Sequence, residues 1–401
     1  MAELTVPKQR VQSIDLLRGI IIVIMALDHV RDFLHIEGAT GDPTNMQTTT
    51  PILFFTRFMT HFCAPVFVFL AGTSGFLQGL RKSKKELSFF LIKRGLWLVL
   101  AELIIMTFGI TFDPGYHVFI LQVIWAIGVS MIILGLLIWL PFPVILFYGL
   151  VIVLFHNMLD KPEAAYAARN EQLPFWWRIL HSGPFIDPLN PDQRRIFGLY
   201  AFGPWSGVMA LGYCFGKLFQ KNIDPAWRRK ALLFIGTGAI LLFIVLRYIN
   251  GYGNPRPWAE QPRGSIYTFL SFLNTNKYPP SLMYLCMTLG PAILVLALIE
   301  KVQNRVTGFF VTIGRVPFFF YVLHFYLIHI ICVILFYASG YGAKDIEPPG
   351  LVKLFFRPNE FGYNLWVVYG VWIMVVLMLY PLCKKYDRYK TASPKWWTSY
   401  V

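Results

Sequence analysis

The chain has 401 residues, of which 56% are apolar and 14% are charged, and its formal net charge is +15. A mean hydropathy of +0.55 excludes a water-soluble globular domain, because a fold of this length cannot bury so much apolar surface. The basic residues flank apolar segments, which is typical of membrane topology and argues against nucleic acid as a partner.

Continuous apolar runs predict an all-α, polytopic transmembrane helix bundle of about ten spans, with residues 1–401 forming one domain. Helices are favoured over barrel strands because several runs approach the roughly 20 residues that a bilayer core requires. In chain order the predicted spans are 14–35, 54–79, 89–110, 118–140, 142–158, 199–217, 230–248, 280–300, 316–338 and 363–383. Pro141 and Pro143 leave so short a linker that 118–158 is either a tight helical hairpin or one span plus a re-entrant segment.

The distribution of lysine and arginine predicts the orientation of these spans. Basic residues recur on one side, at Lys8 and Arg10 and within 81–85, 217–230, 301–305 and 384–395, whereas the opposite loops 36–53 and 111–117 contain none. We therefore expect both termini in the cytoplasm. The five cysteines lie within or at the end of predicted spans, without the spacing of a disulfide framework or a zinc site, so no metal is predicted.

Ionisable residues inside the first span indicate a functional site, because charges at membrane depth are costly and tend to line cavities. Asp28, Arg31, Asp32 and His35 follow the spacing i, i+3, i+4 and i+7, with His29 at the margin of the stripe. A carboxylate beside an imidazole can orient a general base. The alternative is an interfacial salt-bridge network without catalytic function.

A second polar face is predicted in the next span. Arg57, His61 and Pro65 are four residues apart, and Pro65 frees a backbone carbonyl one turn back, near His61. Small residues elsewhere predict helix contact faces, at Ala71, Gly75 and Gly79, at Gly203 and Gly207, and at Gly212 and Gly216.

Three further polar or aromatic residues have weaker patterns. His324 and His329 are five residues apart on different helix faces, so both are interpreted as core residues. Trp205 opens the sixth span on the predicted external side, where such a ring anchors the interface or stacks on a sugar.

Three segments resemble the heparan-α-glucosaminide N-acetyltransferase catalytic-domain family: 13–19 (SIDLLRG), 65–72 (PVFVFLAG) and 202–213 (FGPWSGVMALGY). The segments 28–33 (DHVRDF), 42–44 (DPT) and 55–65 (FTRFMTHFCAP) are similar to its bacterial, largely uncharacterised branch. The resemblance is strongest over the first 80 residues and around 200–216. It implies an integral protein of a bacterial cytoplasmic (inner) membrane.

The resemblance also implies an activity. A multi-pass acyltransferase of this family would take an acetyl group from cytoplasmic acetyl-CoA and deliver it to an amino sugar or glycan on the other side, with a central histidine. Alignment on the Pro-x-Phe-Val-Phe core puts the family's loop histidine near Pro51, and His61 at the family's acidic position. Either His29, His35 or His61 has taken over the histidine's role, or this branch performs different chemistry.

The candidate roles follow from these residues. His61 or His29, oriented by Asp28 or Asp32, would deprotonate the acceptor or briefly carry the acetyl group. Arg57 or Arg31 would stabilise the oxyanion or bind an anionic part of the substrate. His35 remains a further candidate base, and Trp205 a candidate substrate contact.

Two other functions are compatible with the sequence. A transporter for a small polar or anionic solute would use the same cluster to relay protons or bind the ion, whereas a scaffold would pair the charges internally and have no cavity. An acyltransferase needs a CoA-sized cavity from the cytoplasm with a histidine at its closed end. There is no GxGxxG or P-loop, so basic residues of the cytoplasmic loops would meet the CoA phosphates. The expected partners are lipid, acyl-CoA and a sugar acceptor, with homo-oligomerisation left open.

Overall fold

A computed structural model describes residues 11–38, 41–189, 194–346, 357–358, 360–393 and 395–399. These residues form an all-α helix bundle with one small sheet, which confirms the predicted fold class. Lys8 and Arg10, two of the basic residues that predict the orientation, lie outside the described residues.

Helices account for most of the described chain. In the first half they are α1 (Gln12–Leu34), α2 (Pro51–Thr60), α3 (Cys63–Gly79), α4 (Lys84–Ala101), α5 (Thr107–Thr111), α6 (Val123–Leu137), α7 (Phe142–Phe155), α8 (Asp160–Ala168) and α9 (Phe175–Leu180). In the second half they are α10 (Phe202–Phe215), α11 (Pro225–Ile249), α12 (Ser265–Leu273), α13 (Leu282–Ile299), α14 (Arg305–Arg315), α15 (Pro317–Ala338) and α16 (Leu365–Ala392).

Each of the ten predicted spans overlaps at least one of these helices. By length and composition, six helical stretches of the described chain can cross a membrane: Pro51–Gly79, Phe142–Ala168, Pro225–Ile249, Leu282–Ile299, Pro317–Ala338 and Leu365–Ala392. The protein is therefore an integral membrane protein, while the number of crossings and the orientation stay predictions. The helix α14 was not predicted, because its 11 residues are too short and too amphipathic to resemble a span.

A three-stranded sheet corrects the prediction that 118–140 is helical throughout. The strands β1 (Val118–Leu121), β2 (Phe185–Pro188) and β3 (Arg195–Gly198) are ordered β1-β3-β2, with β1 parallel and β2 antiparallel to β3. The helix α6 therefore begins only at Val123. Glu102, in a π-helical turn between α4 and α5, is fully buried and accepts the Trp125 N–H at 2.9 Å, which satisfies a donor at the start of α6.

The helix α1 lies in the centre of the bundle, in contact with α2, α3, α13, α14, α15 and α16. Its backbone touches that of α14 directly. A methyl group on Gly19 would lie 1.9 Å from the Phe310 carbonyl oxygen, and one on Gly314 would lie 1.9 Å from the Asp15 carbonyl oxygen. Small residues thus permit the close approach that tight helix packing in membranes requires.

The helices α3 and α10 form a second close contact. A methyl group on Gly212 would lie 2.0 Å from the Phe69 carbonyl oxygen, so the predicted contact at Gly212 is confirmed. The facing glycine is Gly72, where a methyl group would lie 2.1 Å from the Met209 carbonyl oxygen. Gly75 makes only ordinary contacts, with Leu91, Leu134 and Tyr213, so the predicted close approach is not found there.

The contact between α1 and α14 predicts an effect on stability. Gly314→Ala should destabilise the protein by about 1–3 kcal/mol or more, because backbone on both helices must move apart. The matched control is Gly308→Ala in the same helix, where no heavy atom lies within 4 Å of the new methyl group. That variant should gain up to about 1 kcal/mol from helix propensity. Thermal unfolding in detergent measures both, and equal melting temperatures would contradict the contact.

The orientation can be tested with single cysteines, since all five native cysteines are buried. Gln47→Cys and Lys84→Cys place exposed thiols at opposite ends of the bundle. A membrane-impermeant maleimide added to intact cells should label position 47 and leave position 84 unlabelled until the cells are permeabilised. The reverse pattern would invert the predicted orientation.

Candidate functional site

Two cavities open at opposite ends of α1. The outer cavity, at the predicted external end, has a volume of about 540 Å³ and is lined by Arg31, Asp32, Arg57, His61 and Lys277, among others. The inner cavity, at the predicted cytoplasmic end, has a volume of about 330 Å³ and extends along α1 as far as Met25. From Met25 to Arg31 is six residues, or about 9 Å of helix. Only a thin layer of side chains therefore separates the two cavities along α1.

A cluster of four charged residues forms the floor of the outer cavity, with Arg31, Asp32 and Arg57 in its lining and Asp28 bound behind them. Asp28 pairs with Arg31, whose Nη2 atom lies 2.9 Å from Asp28 Oδ1, and it also binds Arg57 of α2. Arg31 Nη2 lies 2.5 Å from Asp32 Oδ1. The sequence predicted the stripe on α1. The structure adds that Arg57 crosses from α2 to Asp28, so the buried carboxylate lies between two guanidinium groups.

The backbone determines which nitrogen of His61 carries its proton. Its Nδ1 atom lies 2.7 Å from the Arg57 carbonyl oxygen. A carbonyl oxygen only accepts hydrogen bonds, so Nδ1 carries the proton and Nε2 is left as the basic nitrogen. Pro65 lacks an N–H, and the His61 carbonyl that it leaves unpaired accepts the Tyr284 hydroxyl at 2.7 Å, as the sequence predicted for a freed carbonyl.

His29 lies on the other side of α1 and pairs with a histidine of α15. Its Nδ1 atom is 2.7 Å from His324 Nε2, and His324 Nδ1 is 3.2 Å from the Phe320 carbonyl oxygen. The carbonyl requires a proton on His324 Nδ1, so His324 Nε2 accepts and His29 Nδ1 donates. His29 therefore also presents Nε2 as its basic nitrogen, and its ring is partly exposed. His324, interpreted as a core residue, is fully buried but orients His29.

The inner cavity combines cations with an apolar wall. Arg18, Arg81, Arg94, Arg315 and Lys390 all contribute to its lining. The Nη1 atom of Arg18 lies 3.0 Å from Asp15 and its Nη2 atom donates to Ser74 at 2.8 Å, so the predicted pair of Asp15 and Arg18 is confirmed. Such a cavity can receive a ligand that has both phosphate groups and an apolar arm.

Tyr321 connects the inner cavity to the histidine pair. It lines the cavity, and its ring centroid lies 6.2 Å from that of His29 and 5.4 Å from that of His324. No histidine lines the inner cavity within the described part of the chain, so Tyr321 lies between the cavity and the histidine pair. Sequence reasoning missed Tyr321, because a tyrosine in an apolar span has no distinguishing pattern.

His35 and Trp205 occupy different surroundings from the predicted cluster. His35 lines the outer cavity one turn beyond Asp32, and its Nδ1 atom accepts the Glu37 N–H at 3.3 Å instead of pairing with a carboxylate. Trp205 is fully buried, its ring 5.6 Å from that of Tyr200, and it lines neither cavity. Its ring has no accessible face for a sugar, so Trp205 packs the core.

Comparison with known families supports one relationship. Residues 10–247 match the family model described as heparan-alpha-glucosaminide N-acetyltransferase, catalytic. The match includes α1 with Asp28 and His29, and α2 with Arg57, whereas Lys277, Tyr321 and His324 lie beyond it. No curated protein matches the chain. The matched stretch covers more than half of the sequence, and the chain therefore belongs to the heparan-α-glucosaminide N-acetyltransferase catalytic-domain family of membrane acetyltransferases.

Proposed function

We propose that the protein transfers an acetyl group from acetyl-CoA in the inner cavity to an amino group of a sugar or glycan in the outer cavity. The observation that carries the proposal is the pair of cavities at opposite ends of α1, with His29 in the layer between them and His61 on the outer floor. Family membership supports acetyl transfer. The cavities open on opposite predicted sides of the membrane, which supports a donor and an acceptor that bind from different sides.

The inner cavity suits the two halves of acetyl-CoA. Arg81 and Arg94 would bind its phosphates, while the apolar wall that includes Met25 and Phe318 would accept the pantetheine arm. Tyr321 then lies beside the thioester at the closed end. This placement brings the acetyl carbonyl near the exposed part of His29.

The tautomers assign a role to each histidine. His29 Nε2 attacks the thioester carbonyl carbon, the C–S bond breaks, and the CoA thiolate leaves and is protonated by solvent. The Nδ1 proton of His29 passes to His324, which keeps the acetylimidazole neutral. The acceptor amine then attacks the acetyl carbon, gives its proton to His61 Nε2, and His29 regains its own from His324. His61 finally releases its proton to solvent.

The arginines of the cluster stabilise charge during this second attack. Arg57 and Arg31 are held by Asp28, so their guanidinium groups are already oriented when the oxyanion forms. Asp32 and His35 line the same cavity and would contact the acceptor. The bacterial cytoplasmic membrane and a single domain over residues 1–401 belong to the proposal as well, and the oligomeric state stays open.

Transport of a small polar or anionic solute is the second candidate function, because two cavities that approach each other from opposite ends also suit alternating access. The two candidates differ in one product. An acetyltransferase releases CoA from acetyl-CoA, whereas a transporter moves its solute into proteoliposomes without doing so. The scaffold interpretation predicted no cavity and does not fit the two cavities found.

The first kinetic prediction separates the two histidines. Rapid mixing of wild-type protein with acetyl-CoA should release about one CoA per protein, and glucosamine should then permit turnover. His61→Ala should keep this initial release and lose at least about 100-fold in turnover, whereas His29→Ala should lose both. His117→Ala is the control, since His117 pairs with Asp113 in a loop outside the site. Initial release that survives in His29→Ala would contradict the assigned carrier.

The second prediction concerns the donor. Replacing Arg81 or Arg94 by Gln should raise the Kd for CoA about tenfold or more, because each removes a charge-assisted contact to phosphate. The matched control is Arg229→Gln, an exposed arginine on the same predicted side that does not line the inner cavity. Calorimetry in detergent gives the Kd for CoA of the wild type and of the three variants. Unchanged affinity in both cavity variants would place CoA elsewhere.

A further inference from the structure

Lys277 is a buried cation in the wall of the outer cavity. It precedes α13, its side chain lines the cavity, and the residue is only 8% exposed. The Nζ atom lies 5.1 Å from the ring centroid of Tyr278 and 5.9 Å from that of Tyr200. The two rings lie beside the ammonium group and the Tyr278 hydroxyl is a hydrogen-bond partner of it, but no carboxylate balances its charge in the described part of the chain.

The carboxylates near Lys277 already form ion pairs with arginines. Among the described residues no carboxylate oxygen lies within 4 Å of Lys277 Nζ, and Asp28 and Asp32 are paired with Arg31 and Arg57. Glu37, Asp42, Arg247 and Arg256 also line the cavity. Together with Asp28, Asp32, Arg31, Arg57 and Lys277 they make five cations and four carboxylates, which leaves one excess positive charge. A buried charge of this kind is costly unless a ligand neutralises it.

Arg31 is a second cation in the lining of the same cavity. Its Nη2 atom serves Asp28 and Asp32, whereas its buried Nη1 atom has no hydrogen-bond partner in the described part of the chain. Buried guanidinium N–H groups are normally satisfied, so Arg31 retains a donor for a further acceptor. The two cations together suit an oxyanion with more than one oxygen atom.

The loop that carries Lys277 is fixed before any ligand arrives. Arg247, at the end of α11, donates to the carbonyl oxygens of Phe272, Ser271 and Asn274 at 2.8–2.9 Å. The Asn276 N–H in turn donates to the side chain of Asn254 at 2.7 Å. Lys277 is therefore held in place by its backbone, which lowers the entropic cost of binding.

We infer that Lys277 and Arg31 form an anion subsite in the outer cavity, and that the acceptor carries a carboxylate or phosphate group there. The inference rests on the proposed function and narrows its substrate class from any amino sugar to an anionic one. The anionic group belongs either to a soluble sugar or to a lipid headgroup. A lipid could reach the subsite from the side, because a smaller cavity of about 300 Å³ shares His35, Glu37 and Leu53 with the outer cavity and continues towards Trp366. Trp366 is 74% exposed on the outside of the bundle.

The test compares glucosamine with glucosamine 6-phosphate by calorimetry on the full-length protein in nanodiscs. Wild-type protein should bind the phosphorylated sugar at least about tenfold more tightly. Lys277→Gln should abolish this preference, and Lys277→Arg should restore part of it by returning the charge. Lys344→Gln is the matched control, an exposed lysine on the same predicted side that does not line the cavity.

Two further measurements make the result decisive. Initial CoA release from acetyl-CoA by wild-type protein tests the transfer reaction separately, so normal release without a preference for the phosphorylated sugar would count against the subsite and leave the proposed function standing. Phosphatidic acid in the nanodisc identifies a lipid headgroup if it competes with glucosamine 6-phosphate, and a soluble acceptor if it does not. Equal affinity of wild-type protein for both sugars, or a preference that Lys277→Gln leaves intact, would overturn the subsite.

Discussion

The ion pairs of Asp28 with Arg31 and Arg57 are the interaction on which the rest of the site depends. A carboxylate at this depth is tolerated only with close counterions. Two arginines from two helices provide them, which ties α1 to α2 and fixes the floor of the outer cavity. Because α1 also touches α14 through Gly19 and Gly314, the charged floor is attached to the most tightly packed helix of the bundle.

Backbone carbonyl groups orient the histidines. The carbonyl of Arg57 determines the tautomer of His61, and the carbonyl of Phe320 determines that of His324 and, through it, His29. No carboxylate takes part, although the sequence suggested Asp28 or Asp32 for this role. The carboxylates are unavailable because the arginines already occupy them. This division leaves proton transfer to the imidazoles themselves.

The two ends of the bundle differ in how their positive charges are balanced. At the inner cavity, arginines are combined with an apolar wall, as suits a long ligand with phosphates. At the outer cavity, paired charges leave a single excess cation at Lys277, beside two tyrosine rings. A donor and an acceptor of the proposed reaction would thus each find a charge that they neutralise.

Hydropathy and spacing determined the helical class, the stripe of Asp28, Arg31 and Asp32, and the freed carbonyl at His61, because these depend on residues within one or two turns. Tertiary structure alone decided that Arg57 completes the stripe, that His29 pairs with His324 some 295 residues away, and that Trp205 is buried. It also revealed Lys277 as a cavity residue. Local periodicity specifies which face of a helix is polar, whereas the partner of that face is set by the packing of distant segments.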